Sequence, residues 1–551
     1  MKEHCIMNPT SLSLGEPDWI TLTTDADRET APAGRPFSTA PDARVSLKGE
    51  SALTVSLTAG STPIRSLALR WTRPMPADDL YLGDAWERGY GRMGFQTMRA
   101  NRFMPWYFLA AGQEQAEGYG VATGANAFCF WQVDTAGITL FLDLRNGGSG
   151  LVLDGRELEA ATIICLQYPL QERAGGPVFA VASDFCSRIS RKGLMPPEPV
   201  YGSNNWYYAY GDSSRSRILA DAEYLADLTQ GNAHRPTMVV DDGWQDHHRL
   251  EDYNGGPWRR GNEKFGDMAA LADQIKAMGI KPGIWYRPLL NEDEAIADQF
   301  RLPHNGCLDP SNPQALDYIR QDIAQLGEWG YQLVKHDFST FDLLGRWGFQ
   351  MNPWPSPDGW HFYDRSLTSA QVVKQLYRAI FEQATKTGML VQGCNVVGHL
   401  GVGFMQINRT GDDTSGLQWE RTRQIGVNTL AFRLPQNGSF YATDADCVGI
   451  SDAIDWELNR QWMDLLTRTG TPLFFSARPG SLTADQEDQL RQALALASTG
   501  GAHAIPSDWL VNDCPEIWTD GGGTRRYSWY QPAGLEFADK PERYDGYLSA
   551  V

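Results

Sequence analysis

Aspartates recur in four short stretches, each behind an apolar run. They are Asp241 and Asp242 in Val239-Val240-Asp241-Asp242-Gly243-Trp244, Asp337 in Val334-Lys335-His336-Asp337-Phe338, Asp412 and Asp413 in Arg409-Thr410-Gly411-Asp412-Asp413, and Asp444 and Asp446. A single Asp at the end of a strand is equally well a helix N-cap. A set at the ends of several strands is better explained as chemistry. Paired carboxylates suit glycoside hydrolysis, where one must be ionised to attack the anomeric carbon and the other must hold a proton for the leaving oxygen. Lys335 and Asp337 lie two apart on one strand and face the same side. A lysine beside Asp337 would favour the charged form that a nucleophile needs. The adjacent Asp412 and Asp413 resist double ionisation, which would raise the pKa of one of them as an acid requires. His247-His248 beside the first aspartate pair is not a metal-ligand spacing, so no metal is expected. The sequence has no G-x-S-x-G elbow and no strand-borne G-x-G-x-x-G, which argues against acyl transfer and dinucleotide cofactors. No cofactor is expected.

These groups need elements to hold them. After residue 200, strand-like runs alternate with helical patterns. Strands are expected at 202–210, 237–242, 280–287, 331–338, 388–394, 404–409, 439–443 and 471–475. Helices are expected at 267–278, 312–329, 369–387 and 484–497 among others, with little room for one between the fifth and sixth strands. Eight such units in about 300 residues imply an α/β fold, a (β/α)8 TIM barrel. Barrel enzymes carry their chemistry at the C-terminal ends of the strands, where these aspartates fall. Residues 1–195 read as mostly β, an N-terminal β-sandwich domain, and Met195-Pro196-Pro197-Glu198-Pro199 marks a linker. The barrel is placed at 200–500, and 501–551 is a short C-terminal segment with one β element around Trp518, Tyr527 and Trp529.

The ordered motifs resemble glycoside hydrolase family 36, the α-galactosidases with their raffinose-synthase-like branch. Asn205-Trp206, Asp241-Asp242-Gly243-Trp244, Gly283-Ile284-Trp285, Leu308-Asp309-Pro310-Ser311-Asn312-Pro313, Lys335-His336-Asp337, Gly393-Cys394-Asn395 and Arg409-Thr410-Gly411-Asp412-Asp413 are each similar to a family segment. The resemblance covers about residues 200–480. It implies a retaining double displacement on terminal α-galactosides, with Asp337 as nucleophile. The acid/base is Asp413 on the clan-wide R-x-x-x-D pattern, or Asp412 on alignment to the S-D-N of many bacterial members. Asp241 and Asp242 would bind sugar hydroxyls, and Trp206, Trp285, Lys335, Cys394 and Arg409 would line the subsite. Arg287 departs from the pattern. It stands where many members have an acidic residue, and it changes the charge expected at the mouth. A transglycosylase or α-glucoside-acting relative, and a non-catalytic sugar-binding barrel, are the alternative readings.

The long segment after Asp337 carries Trp347, Trp354, Trp360, His361 and Phe362. It forms either a leaving-group subsite or an aromatic loop packed on itself or on the N-terminal domain. The net charge of −19 disfavours nucleic acid and anionic lipid as partners. An oligosaccharide or glycoside is the partner the sequence favours, and a homo-oligomer is left open. Eight scattered cysteines, no apolar leader after Met1-Lys2-Glu3-His4-Cys5 and no long apolar run point to a cytoplasmic protein.

Overall fold

The computed structural model describes residues 8–250, 253–532 and 534. Met1–Cys5 and nearly all of the tail beyond 532 lie outside the described residues. Two antiparallel sheets form the N-terminal part. One runs 44–48, 52–58, 157–169, 115–121, 107–111, 80–83, with 10–11 added beside 157–169. The other runs 28–32, 19–24, 64–71, 137–143, 128–134, 104–105. They meet through aromatic rings, with Trp131 of the second sheet 5.8 Å from Phe108 of the first. The mostly-β reading overlooked a helix, Gly175–Ile189. Its Val178, Ala182, Phe185 and Ile189 recur at helical spacing and are buried. Phe185 lies over Gly118, where any Cβ would stand 2.4 Å from the ring. The glycine makes room for the helix.

The second part is one parallel nine-stranded sheet of the TIM-barrel kind. Its spatial order is 442–444, 407–409, 390–393, 333–336, 281–286, 237–240, 201–204, 473–476, 447–449. The two outermost strands, Ala442–Asp444 and Cys447–Gly449, are neighbours in sequence, separated only by Ala445 and Asp446. Asp446 takes a left-handed φ of 73° there. Strands such as Thr237–Val240 are buried at every position, as parallel strands covered on both faces must be. All eight expected strands occur, with shorter bounds. The first departs most. It ends at Asn204, whose side chain accepts the Trp206 N–H at 3.1 Å, and Trp206–Ala209 turn helical.

The helices start where side chains can satisfy free backbone donors. Asp267 accepts from Ala269 and Ala270, Asn312 from Gln314 ahead of Pro313, and Thr368 and Thr483 form capping boxes with Gln371 and Gln486. The cramped link after the fifth strand holds one helical turn, Gly398–Gly401. The C-terminal segment has three strands, 505–506, 517–520 and 523–526, rather than one. It is tied to the helix Trp456–Thr469, where Arg468 pairs with Asp520 at 2.6 Å and Tyr527 donates to Asp464 at 2.8 Å. Among the described residues no helix is long and apolar enough to cross a membrane. The seven described cysteines are buried and unpaired by disulfides.

Candidate active site

Asp337 follows the last residue of the fourth strand, Leu333–His336. Phe338 then takes φ 61°, which turns the chain sharply. Three N–H groups hold the carboxylate. Trp285 Nε1 donates to Oδ2 at 3.0 Å, and the backbone N–H groups of Phe338 and Asn395 donate to Oδ1 at 2.7 and 3.1 Å. Donors of this kind stabilise the anion. Lys335 does not pair with Asp337 as expected. Its ammonium donates to Asp241 Oδ2 at 2.8 Å. Burial opposes the Lys335 charge, yet Asp241, with a smaller contribution from Asp337, holds its pKa well above the ordinary value.

Asp412 and Asp413 differ sharply. Asp412 is buried and gives one oxygen to Arg88 at 2.5 Å and the other to Arg421 at 3.0 Å. Asp413 is 29% exposed and has one close cation, Arg409 at 3.2 Å, with Arg88 at 4.0 Å. The expected rise in the acid's pKa is absent from the open site. Burial would raise Asp413, but Arg409, Arg88 and Lys335 outweigh it and hold it down to about 2. Mutual repulsion with Asp412 does not dominate, because two arginines already neutralise that neighbour.

Asp241, Asp242, Trp206, Trp285, Lys335, Asp337, Asp412 and Asp413 line a single cavity of about 240 Å³. Gln245 donates to Asp242 at 2.6 Å, and burial pushes the Asp242 carboxyl up to about 7. His248 lies 3.7 Å from Asp242. Cys394 and Arg409 do not reach the cavity wall as expected. Both are 1% exposed and lie beneath it. Cys394 Sγ accepts from Arg88 at 3.6 Å and Arg409 at 3.5 Å, and burial pushes its thiol up. Asp444 and Asp446 are also structural. Asp446 pairs with Arg409 at 2.8 Å, and Asp444 accepts from Gln392 at 2.6 Å. Arg287 adds no net charge at the mouth, because Asp342 binds it twice, at 2.9 and 2.7 Å.

No family model matches the sequence, and no curated protein matches it. Solved structures do. An α-galactosidase from Thermus thermophilus, in complex with p-nitrophenyl α-D-galactopyranoside, superposes with a TM-score of 0.58 at 16% identity, over 93% of this chain and 99% of that one. The family 36 α-galactosidase AgaA from Geobacillus stearothermophilus gives 0.59 at 15% identity, over 92% and 80%. An α-galactosidase from Lactobacillus brevis gives 0.57 at 15%, over 92% and 77%. This is the fold of the family 36 α-galactosidases.

On this α-galactosidase fold, sequence reasoning missed a segment that crosses from the N-terminal part into the mouth. It runs Asp84-Ala85-Trp86-Glu87-Arg88-Gly89-Tyr90. Gly89 donates to Thr410 O at 2.8 Å, and its carbonyl accepts from Asp412 N at 2.9 Å. The segment thus pairs with the loop that carries Asp412 and Asp413. Glu87 is fully buried. It accepts from Asn395 Nδ2 at 2.6 Å and from Gly348 N at 2.8 Å, so it braces the residue whose N–H holds Asp337. The sequence signal is faint. Charged, aromatic and glycine residues are mixed there with neither strand nor helix period, and nothing in the spacing points 300 residues ahead. Tyr210, Tyr253, Asn254 and Arg421 also line the cavity unforeseen.

The aromatic loop after Asp337 divides in two. Trp347 lines the cavity. Trp354 lies under the Arg145 guanidinium at 5.3 Å, and Trp360 and Phe362 are buried. Trp360 covers Gly147, and its carbonyl accepts from Gly148 N at 3.0 Å. The packing alternative therefore holds for Trp354, Trp360 and Phe362. The tight turn Asn146–Gly148 of the N-terminal part offers them a flat apolar seat close to the backbone.

Proposed function

We propose that this protein is a retaining glycoside hydrolase that removes terminal α-galactosyl units. The observation that carries the reading is that one cavity of monosaccharide scale presents Asp337, Asp413, Asp241 and Asp242 together with the rings of Trp206 and Trp285. Asp337, aimed by three N–H groups, attacks C1. The glycosidic C1–O bond breaks, a C1–Oδ ester forms, and Asp413 gives its proton to the departing oxygen. Water then enters, Asp413 takes its proton, and the ester opens to free sugar. Asp412 is the poorer acid because both of its oxygens are held by arginines. In the open site Asp413 is ionised. A sugar that displaces water from the cavity raises its pKa and lets it take up the proton. Asp241 and Asp242 receive sugar hydroxyls, and leaving either unmatched in a buried site is costly, which gives selectivity. The comparison proteins were crystallised with stachyose, raffinose and an aryl α-galactoside, which supports this substrate class. The architecture we propose is an eightfold βα barrel, counting 442–444 and 447–449 as one broken strand, over 200–500. It lies between a β-sandwich domain at 1–195 and a C-terminal segment at 501–551.

The test is turnover of 4-nitrophenyl α-galactoside and α-glucoside, with and without an acceptor sugar. We expect hydrolysis of the galactoside only. Asp337→Ala should lower kcat by at least about 10⁴-fold, the scale seen when a covalent nucleophile is removed. Asp413→Asn should cost less on the nitrophenyl substrate, whose leaving group needs little protonation, than on an oligosaccharide. Full activity in Asp337→Ala would remove the nucleophile assignment.

A further inference from the structure

A second, larger cavity of about 540 Å³ lies beside the catalytic one. Tyr210 lines both. Its backbone is left-handed, φ 47°, a conformation that costs a non-glycine residue energy and persists only where neighbours enforce it. Here Tyr210 caps the helical turn Trp206–Ala209, its N–H donating to Trp206 O at 2.8 Å, and its hydroxyl accepts the Gly416 N–H at 3.3 Å. Gly416 is pressed so closely on the first-strand turn that a Cβ there would stand 2.0 Å from Tyr207 O. The segment carrying Asp413 is therefore locked against Tyr210. Four residues past Asp413, Leu417 is 46% exposed and forms part of the second cavity's wall.

From this geometry we infer that the second cavity receives the leaving-group side of an oligosaccharide substrate, the one or two sugar units beyond the bond that is cut. The inference rests on the hydrolase reading above. A departing oxygen must lie against the acid, so the rest of the leaving group must run along the acid's own loop, and that loop borders this cavity. The lining has the chemistry of a neutral saccharide site. Tyr208, Tyr210 and Trp456 supply aromatic surface, and Asp452 and Arg478 supply hydroxyl partners. Two of the rings are held in place by other residues of the protein. Trp456 Nε1 donates to Gln489 at 3.1 Å, and the Tyr208 hydroxyl donates to Asp221 at 2.6 Å. Binding thus spends little on ordering these side chains. The cavity takes the role that the sequence offered to Trp354 and Trp360, which are committed to the N-terminal part.

The experiment compares stachyose with 4-nitrophenyl α-galactoside, whose leaving group is a single ring. Trp456→Ala and, at an exposed position that spares the fold, Leu417→Arg should each lower kcat/KM for stachyose roughly tenfold and leave the aryl galactoside within about twofold. Equal losses on both substrates, or no loss on either, would overturn the proposal. Binding of stachyose and of galactose to the Asp337→Asn protein, with and without Trp456→Ala, separates the two readings. Should the unmodified protein cleave neither substrate, the hydrolase reading fails. A tenfold weaker stachyose affinity at unchanged galactose affinity would then still uphold the second cavity, and an unchanged stachyose affinity would remove it.

Discussion

Two pairs of adjacent aspartates show how position decides what holds a carboxyl. Asp412 is fixed by two arginines, while Asp413, one residue on, keeps partial access to the cavity. Asp241 is paired with Lys335, while Asp242 has among the described residues no lysine or arginine ion pair and is raised by burial to about 7. The consequence for Asp242 has a definite sign. On the proposed function, its carboxylate is the form that accepts a sugar hydroxyl, so a bound sugar favours loss of the proton. Affinity for galactose should therefore rise as pH increases through about 7 and then level off. Calorimetry between pH 5 and 8.5 should show a loss approaching tenfold for each pH unit well below 7. Asp242→Asn should remove that slope along with much of the affinity. A flat profile in the unmodified protein would show that Asp242 is ionised throughout.

The loop that follows Asp337 is an element with two jobs. Trp347 faces the cavity, and the stretch from Trp354 to Phe362 is a clasp on the N-terminal turn at Asn146–Gly148. Trp360 is 6% exposed, with Gly147 beneath it and His304 at 4.1 Å between ring centroids. Trp360→Ala should cost about 3–5 kcal/mol in urea unfolding, the usual range for a buried large aromatic. The ratio of kcat/KM for stachyose to that for the aryl galactoside should stay the same, and a changed ratio would return this residue to substrate binding. The sequence could not decide this, because a glycine-flanked tryptophan reads alike whether it meets a sugar or a β-turn. The strands with their Asp ends were legible, since buried parallel strands are continuous apolar runs and the βα rhythm is periodic. The helices 312–329 and 484–497 were legible from their periodicity, and the caps at Asn312 and Thr483 account for where they start. Arg88 and Glu87 were not, because their partners are set by packing between distant segments, and no local rule encodes it. Lys335 misled for a related reason. Strand periodicity gives the face of a side chain but not which carboxylate on the neighbouring strand lies closer.

At the scale of the molecule, the N-terminal part and the parallel sheet share one interior. Asp84 and Arg433, both 1–2% exposed as side chains, pair at 3.0 Å across that boundary, and Gln436 adds a bond to Asp84 at 2.9 Å. Removing one partner strands a buried charge. Arg433→Met should destabilise the protein by about 3–5 kcal/mol. Asp84→Asn in the same chain should recover a large part of this, and a denaturation series on the three variants would show the coupling. Full additivity would mean that the pair is not a clamp. The same boundary sets a timetable for synthesis. Arg88 and Cys394, which touch beneath the candidate site, are 306 residues apart in the chain. At about 5–20 residues per second, on the order of 15–60 s pass between the emergence of one and the other. Through that interval the arginine-bearing strap has no seat and its cation remains in water. The newborn chain can complete its amino-terminal sheets early, but the candidate site closes only when the loops after the fifth and sixth strands arrive to receive the strap. The candidate site is thus among the last parts of this polypeptide to assemble.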